Sequence, residues 1–269
     1  MSINLTLHTS PEVPLEAEVL CTDKLIGLTG SEIEKLPVEH GNRQVSVADF
    51  FTVKGSPDDS ISIEGDLSKV KHLGAAMASG KLTISGNVGS HLGAGMTGGK
   101  ILVEGDAGDW VAPEMQGGSV EIKGNAGHLV GSAYRGSPIG MSGGEILVHG
   151  DAKNEAGHAM RNGIIVIGGK SGDFAGVNML AGSIFLLGET GIRIGAGMKR
   201  GTLVTMSKTS MLPTFSYSCR YQPAYLRMYL IYLQELGFSV SDEQLFGFYH
   251  RWCGDAIEMN RGEILAHDF

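Results

Sequence analysis

One stretch of the chain, GSHLGAGMTGGK, has the spacing of a phosphate-binding loop. Gly93, Gly95 and Gly98 form a G-x-G-x-x-G pattern, and Lys100 follows two positions later. In dinucleotide-binding folds such glycines bring a pyrophosphate to the N-terminus of a long helix. Here the following residues, GKILVEG, are typical of a short strand that ends at another glycine. We therefore interpret the glycines as backbone corners and predict no phosphate site.

Histidines and methionines are the first candidates for metal ligands. His72 and His91 each lie five residues before a methionine, but Trp110 and Glu155 hold the equivalent positions later in the chain. Because the later repeats do not keep histidine at this position, we predict no metal site there and expect a pair of surface imidazoles. The regularly spaced methionines offer soft thioethers to copper(I), yet flexible Met side chains also fill irregular cores well. We predict the core role.

Aspartates are the second candidates for metal ligands. Asp66, Asp106 and Asp151 each follow a glycine, as they do in calcium-binding β-rolls, but the G-G-x-G-x-D repeat of those rolls is absent. Asn87 and Asn125 occupy the same place, which is typical of turn residues. The sequence predicts no metal site and no catalytic residue, because no nucleophile–base pair or cluster of carboxylates stands out.

The dominant feature of the sequence is a repeat of 19 residues. Methionine opens each repeat, and the successive spacings are 19, 19, 26, 19, 19 and 19. A glycine follows each methionine by three residues, and aliphatic residues follow by five and, in all but the last repeat, by seven. The methionines are Met77, Met96, Met115, Met141, Met160, Met179 and Met198.

This spacing predicts one short strand in each repeat, with its inward side chains at period two. Nineteen residues leave no room for a helix beside the strand and its turns, so the repeats must stack as parallel strands. We therefore expect an all-β solenoid: a right-handed parallel β-helix of about seven 19-residue coils. A small N-terminal cap and a C-terminal helical extension are expected to flank it.

The flanking segments differ from the repeat in composition. INLTLH predicts a strand, SEIEKL a short helix and PAYLRMYLIYLQELG an amphipathic helix. SDEQLFGFYHRW predicts a second amphipathic helix, which opens with a capping box at Ser241 and Gln244. We expect a cap over residues 1–60, the β-helix over 61–207 and the helical extension over 208–269.

Two departures from the repeat indicate binding surfaces. The interval from Met115 to Met141 carries seven extra residues, and an added loop on a regular column is where binding is often placed. We name Tyr134 and Arg135 in this loop as candidate partner contacts, although a tolerated insertion explains it as well. Outward residues of the late repeats, such as Phe185 and Leu187, are apolar, so the chain itself or a partner must cover them.

Composition narrows the class of protein. The net charge is −8 with no basic run, which argues against nucleic acid. The first residues, MSINLTLHTSPEV, lack the features of a signal peptide, and the longest apolar tract is too short to span a membrane. Three widely separated cysteines fit neither a disulfide framework nor a zinc motif. We expect a cytoplasmic protein with reduced thiols.

Four segments together resemble the C subunit of formylmethanofuran dehydrogenase: PLEAEVL, HGNRQVSVADFF, the repeat, and MLPTFSYSCRYQPAYLRMYLIYLQELGF. The last segment is most similar to the bacterial branch, found in the formyltransferase/hydrolase complex of methylotrophs. The repeat alone is shared with the last domain of glutamate synthase large subunits. The resemblance covers nearly the whole chain.

The resemblance implies a non-catalytic scaffold subunit in tetrahydromethanopterin-linked one-carbon metabolism. The implied partners are formyltransferase, zinc amidohydrolase-like and dehydrogenase-B-like subunits. Tetrahydromethanopterin, a methanofuran-type carrier and zinc would belong to the complex, with none of them bound by this chain alone. Lys199 and Arg200 are candidate contacts for the acidic tail of the carrier. Two alternatives are a structural subunit or domain of a glutamate-synthase-like amidotransferase, and a freestanding β-helix hydrolase or lyase.

Overall fold

The computed structural model describes residues 3–55 and 59–268. The chain is mostly β, with one 13-stranded sheet that is largely parallel and one four-stranded sheet. No helix in the described residues is long and apolar enough to cross a membrane. The N-terminal elements are β1 (Ile3–Leu7), β2 (Leu15–Glu16), α1 (Thr22–Leu25), α2 (Gly30–Ile33), β3 (Pro37–His40), β4 (Arg43–Ser46), a 3-10 turn (Val47–Asp49) and β5 (Phe51–Lys54).

The repeat supplies the central strands of the large sheet. These are β6 (Ser60–Glu64), β8 (Lys81–Ser85), β9 (Lys100–Val103), β10 (Ser119–Ile122), β11 (Glu145–Val148), β12 (Ile164–Ile167), β13 (Ser183–Leu186) and β14 (Arg200–Thr205), with the short β7 (Val70–Lys71) in the smaller sheet. The C-terminal elements are β15 (Ser216–Tyr221), α3 (Ala224–Glu235), α4 (Asp242–Phe246), β16 (Tyr249–Gly254) and β17 (Arg261–His267). We call residues 60–207, which contain the stacked repeats, the repeat column.

Consecutive repeat strands pair in parallel and in one constant register. Ile101 of β9 lies beside Leu82 of β8 and Val120 of β10, and the same step continues to β14. The predicted inward positions are all buried, with at most 2% of each side chain exposed. A second line of parallel bridges runs from Leu67 to Thr190, one per repeat. Each repeat is therefore bonded to the next at these two places, and further backbone hydrogen bonds join them near the methionine, such as that from the N–H of Thr97 to the carbonyl oxygen of Met77.

Methionine and glycine interlock between neighbouring repeats, which explains why the two residue types recur together. All seven repeat methionines are 0% exposed, as the core interpretation predicted. A Cβ built on Gly163 would lie 2.7 Å from the terminal methyl of Met141, in the preceding repeat, and the φ of Gly163 is +101°. Any side chain at this glycine would strain the backbone and collide with the core of the repeat below.

The glycines of the G-x-G-x-x-G pattern are corners, as predicted. Gly93 and Gly95 have φ angles of +64° and +63°, and a Cβ on Gly98 would lie 2.3 Å from the carbonyl oxygen of Ala78. The pattern leads into the four-residue strand β9 rather than into a helix. The close contact between Gly98 and the preceding repeat therefore explains why this position has no side chain.

The two ends of the repeat column are built differently. At the N-terminal end, β1 pairs in parallel with β6 and in antiparallel with β5, while the sheet β4-β3-β2-β7 covers a core that contains Leu15 and Ile33. At the C-terminal end, β17 pairs in parallel with β14, and β16 and β15 follow in antiparallel. Gly262 of β17 repeats the interlock, since a Cβ there would lie 2.6 Å from the methyl of Met198.

The C-terminal segment contains more strand than its sequence pattern suggested. The predicted helix over PAYLRMYLIYLQELG is confirmed as α3, and the capping box of Ser241 and Gln244 is present at α4. However, α4 ends at Phe246, because Gly247 is extended with a ψ of 176°. The residues YHRWCG then form β16, in which Tyr249 is 1% exposed and pairs with His267.

Candidate partner-binding surfaces

A ladder of left-handed residues runs along one corner of the repeat column. The residue five places before the repeat methionine has a positive φ, which is 61° at His72, 66° at His91 and 61° at Trp110. The side chains of neighbouring repeats consequently stack, with ring centroids 4.6 Å apart for the two histidines and 6.0 Å apart for His91 and Trp110. The expected pair of imidazoles is therefore part of a longer aromatic corner.

Tyr134, from the inserted loop, completes this aromatic corner. Its ring stacks on Trp110 with centroids 4.9 Å apart, and its hydroxyl is 2.9 Å from Nδ1 of His91. The backbone N–H of Tyr134 donates to Oε1 of Glu114 at 3.1 Å. Tyr134 therefore anchors the loop on the column, while Arg135 next to it is exposed.

Burial keeps the His91–Tyr134 pair neutral. It lowers the pKa of His91 to about 4, with a further contribution from His72, and it raises the pKa of Tyr134 to about 12. Neither group changes its charge near pH 7, so this hydrogen bond positions the loop and is poorly suited to proton transfer. The aromatic corner offers a rigid contact surface.

The acidic turn residues are occupied by the fold itself. Oδ1 of Asp106 accepts the backbone N–H of Asn125 at 2.7 Å, and Oδ1 of Asp151 accepts that of Lys170 at 2.6 Å. Asn125 bridges to Asp151 in the same way at 2.8 Å. These side chains tie each repeat to the next one, which the interpretation as turn residues did not foresee. The described residues contain no group of three or more His, Cys, Asp or Glu arranged to hold a metal ion.

The apolar outer face of the late repeats is covered by α3. Phe185 is 2% exposed and its ring lies 5.6 Å from that of Tyr229, while Leu187 is half-buried beside the same cluster. The sequence left open whether the chain or a partner covers these residues, and the structure places the cover within the chain. This second core contains Leu147, Val166, Phe185, Val204, Met206, Leu226, Leu230, Leu233, Phe238, Val240, Tyr249 and Leu265.

The side of α3 away from this core carries exposed apolar residues. Met228 is 70% exposed and Ile231 43% exposed. Tyr225 and Tyr232 flank them, and the hydroxyl of Tyr232 donates to Glu145 at 2.8 Å. Arg227 and Glu235 are also exposed on this helix, so its outer side is mixed in polarity. Exposed large apolar side chains among polar ones are typical of a contact surface for another protein, which makes this side of α3 a candidate. Sequence reasoning registered only the leucine stripe; the apolar residues on the opposite side of the same helix were the available signal.

Lys199 and Arg200 lie where the repeat column meets the C-terminal strands. Nζ of Lys199 is 3.8 Å from Oε2 of Glu258, and Lys199 lines a cleft of about 270 Å³ with Pro138 and His158. Arg200 is exposed at the start of β14. The cleft therefore lies between the end of the inserted loop, at Pro138, and the basic side chain of Lys199.

Comparisons with known proteins agree with these features. The GXGXG motif family matches residues 47–217. The C subunit of tungsten-containing formylmethanofuran dehydrogenase 2 from Methanothermobacter thermautotrophicus is 41% identical over 91 residues, which are 32% of this chain and 34% of that protein. The C subunit of molybdenum-containing formylmethanofuran dehydrogenase 1 from the same organism is 42% identical over 80 residues, or 29% of this chain and 20% of that protein. The matches span about a third or less of these relatives.

One solved structure matches along almost the entire chain. It is a chain in the crystal structure of the formyltransferase/hydrolase complex from Methylorubrum extorquens in complex with methylofuran. The sequence identity is 30% and the TM-score is 0.91, with 99% of this chain and 100% of that chain covered. The likeness therefore includes both ends of the repeat column as well as the repeats.

Proposed function

Because this chain belongs to the GXGXG motif family and, within it, to the family of formylmethanofuran dehydrogenase C subunits, we propose that it is a non-catalytic scaffold subunit. The complex would be a formyltransferase/hydrolase in tetrahydromethanopterin-linked one-carbon metabolism, in the cytoplasm. The observation that carries the proposal is the match, over 99% of this chain, to a chain of such a complex.

The scaffold role is supported by the repeat column. Parallel strands in constant register, with a second line of bridges, are what a right-handed parallel β-helix would contain, and we propose that fold for residues 61–207. Residues 1–60 would form its cap and residues 208–269 its extension. Each repeat stacks on its neighbours in sequence, so the column would hold its two ends at a fixed separation.

The proposed partners are formyltransferase, zinc amidohydrolase-like and dehydrogenase-B-like subunits. Tetrahydromethanopterin, a methanofuran-type carrier and zinc would be handled by those subunits, not by this chain. Arg135 on the loop anchored by Tyr134 is a proposed contact. Phe185 and Leu187 would act through α3, whose exposed Met228 would meet the partner.

Lys199 and Arg200 are proposed to contact the acidic tail of the carrier. An ammonium and a guanidinium both bind carboxylates. Nζ of Lys199 is 3.8 Å from Oε2 of Glu258 and both side chains are exposed, so a carboxylate of the carrier could take the place of Glu258. Replacing both residues with Ala should weaken retention of the carrier, whereas an unchanged carrier content would refute this contact.

Co-expression of the tagged full chain with the three proposed partner subunits tests the scaffold role. We expect a stable complex, and we expect Met228→Asp to release partners, because a charge would be buried in an apolar contact. Lys54→Asp, on an exposed strand residue at the far end of the large sheet, is the control. Formyl transfer or hydrolysis by the isolated chain, or failure of the wild-type chain to bind any of the three, would refute the proposal.

A further inference from the structure

At the C-terminal end of the repeat column, strands extend only one side of the column among the described residues. The large sheet continues past the last repeat through β17, β16 and β15, whereas the second line of bridges stops at Thr190. On that side the described chain continues as a loop, which is joined to Thr190 by a hydrogen bond between the hydroxyls of Thr190 and Thr209, at 2.8 Å, and which packs Met211 against the core of the column. The inward faces of the added strands therefore border an open groove of about 570 Å³.

The floor of this groove is apolar and aromatic. Met211, Tyr217, Trp252 and Ala266 line it, and Tyr217 meets Trp252 edge to face with ring centroids 5.4 Å apart. Tyr217 is 52% exposed. Large aromatic residues in such a position are typical anchors for a partner side chain.

The strand beside the groove offers a free backbone edge. Among the described residues, β15 pairs with β16 on one side and with no strand on the other, and five of its six residues are exposed. Unpaired N–H and C=O groups along an edge are complementary to an extended peptide, which binds by adding a strand. The free edge and the groove are adjacent because Tyr217 belongs to both.

The charges of the groove favour an acidic occupant. Asp268, which lines it, accepts hydrogen bonds from Arg220 and is 3.1 Å from Nε2 of His250. Lys208 also lines the groove, is exposed, and has no ion pair among the described residues. The uncompensated charge is therefore positive, although the chain as a whole carries −8. A carboxylate on the incoming segment would complement Lys208.

We infer that β15 and this groove bind an extended segment of another protein subunit. The segment adds a strand to β15, places an apolar side chain between Tyr217 and Trp252, and directs a carboxylate to Lys208. This inference rests on the proposed function, because it assigns the segment to a subunit of the same complex. It goes beyond that function by naming the surface and the chemistry of the segment.

Replacing Tyr217 with Asp in the full chain tests the inference. The variant should bind the partner subunits about 30-fold more weakly, as expected when a central anchor is lost. Ile26→Asp, at a residue 51% exposed near the other end of the column, is the matched control and should bind normally. Lys208→Glu should weaken binding about threefold, and added salt should reduce that difference.

Thiol labelling gives a second readout that does not depend on a variant. Cys219 lies in β15 and is exposed, whereas Cys21 is buried. Alkylation followed by peptide mass spectrometry should modify Cys219 readily in the isolated chain and slowly in the complex. Cys21 should remain unmodified in both, which shows that the chain stays folded.

The outcomes separate the inference from the proposed function. A complex that assembles equally well with Tyr217→Asp and leaves Cys219 reactive would overturn the inference and leave the scaffold role standing. Failure of the wild-type chain to bind any of the partners would overturn both. A dimer of the isolated chain in which Cys219 is protected would overturn the assigned occupant, since a second copy of the chain would then fill the edge.

Discussion

The two ends of the repeat column cover the exposed core in different ways. At the N-terminal end, β1 and β5 extend the large sheet and a second sheet packs beside them, so that Leu5 and Phe51 are 0% and 1% exposed. At the C-terminal end, three strands extend the sheet and the loop before them packs Phe215 on the core. No second sheet covers this end among the described residues, so Trp252 is partly exposed and Tyr217 is 52% exposed. A stack of repeats exposes its core at both ends unless each is capped.

The difference suggests that stability and binding are divided between the ends. Closing an end removes apolar surface from water within the chain itself. Leaving an end open retains a free sheet edge and an aromatic groove, which are useful only if another chain covers them. We therefore expect substitutions at the closed end to affect folding and substitutions at the open end to affect association.

The largest expected effect is at the closed end. Phe51→Ala should lower the free energy of unfolding by about 3–5 kcal/mol, because it leaves a cavity where the side chain is 1% exposed. Tyr217→Ala at the open end should change it by less than about 1 kcal/mol, because Tyr217 is already 52% exposed. Urea denaturation followed by circular dichroism measures both, and equal losses would remove the contrast between the ends.

A smaller effect is expected where β17 joins the column. Gly262→Ala should cost about 1–3 kcal/mol, because its Cβ would lie 2.6 Å from the methyl of Met198 and 2.7 Å from the carbonyl oxygen of Gly254. Gly30→Ala is the control, since its Cβ would meet only Val53 at 3.8 Å. If both substitutions prove neutral in thermal unfolding, the methionine–glycine interlock does not hold the C-terminal strands in place.

Near neutral pH the smallest expected effect belongs to the aromatic corner, between the two ends, whose contribution to stability should change only at acid pH. His91 has a pKa of about 4 in the folded chain against an ordinary value of 6.5. The unfolded chain therefore binds more protons between these values, so stability should fall as the pH drops from about 6.5 to 4 and should be independent of this group above that range.

His91→Phe should remove this part of the pH dependence while keeping a ring in the stack. Phe is compatible with the backbone here, because Phe174 has a φ of 61° at the equivalent position of a later repeat. Melting temperatures of both proteins from pH 4 to pH 7.5 provide the measurement. An unchanged slope in the variant would mean that other groups cause the acid sensitivity.

The repeat strands could be predicted from the sequence because their signal is local and periodic. Ile101 and Val103 are inward because every repeat places aliphatic residues at the same two positions, and the structure buries both. The end of α4 at Phe246 was missed, because Gly247 continues extended and the next residues are held by pairing with β17. Pairing with a distant strand leaves no local signature.

The surfaces were less predictable, since they depend on residues far apart in the chain. Tyr134 was named from the inserted loop, but its hydrogen bond to His91 spans 43 residues. Phe185 was identified as outward and apolar, yet only the packing of Tyr229 shows that it is covered. The groove beside β15 required three strands whose order in the sheet, β15-β16-β17-β14, differs from their order in the chain.

Gly262 has a wider consequence. It presents to Met198 the same bare backbone that each repeat presents to the one before it, so this contact depends on the repeat pattern itself. Removing or duplicating one unit of 19 residues among the early repeats, which α3 does not cover, would leave the junction of β17 with β14 intact. Each unit gained or lost would change the length of the column by about 4.8 Å. Proteins with different numbers of units would therefore hold the partners bound at their two ends at different distances.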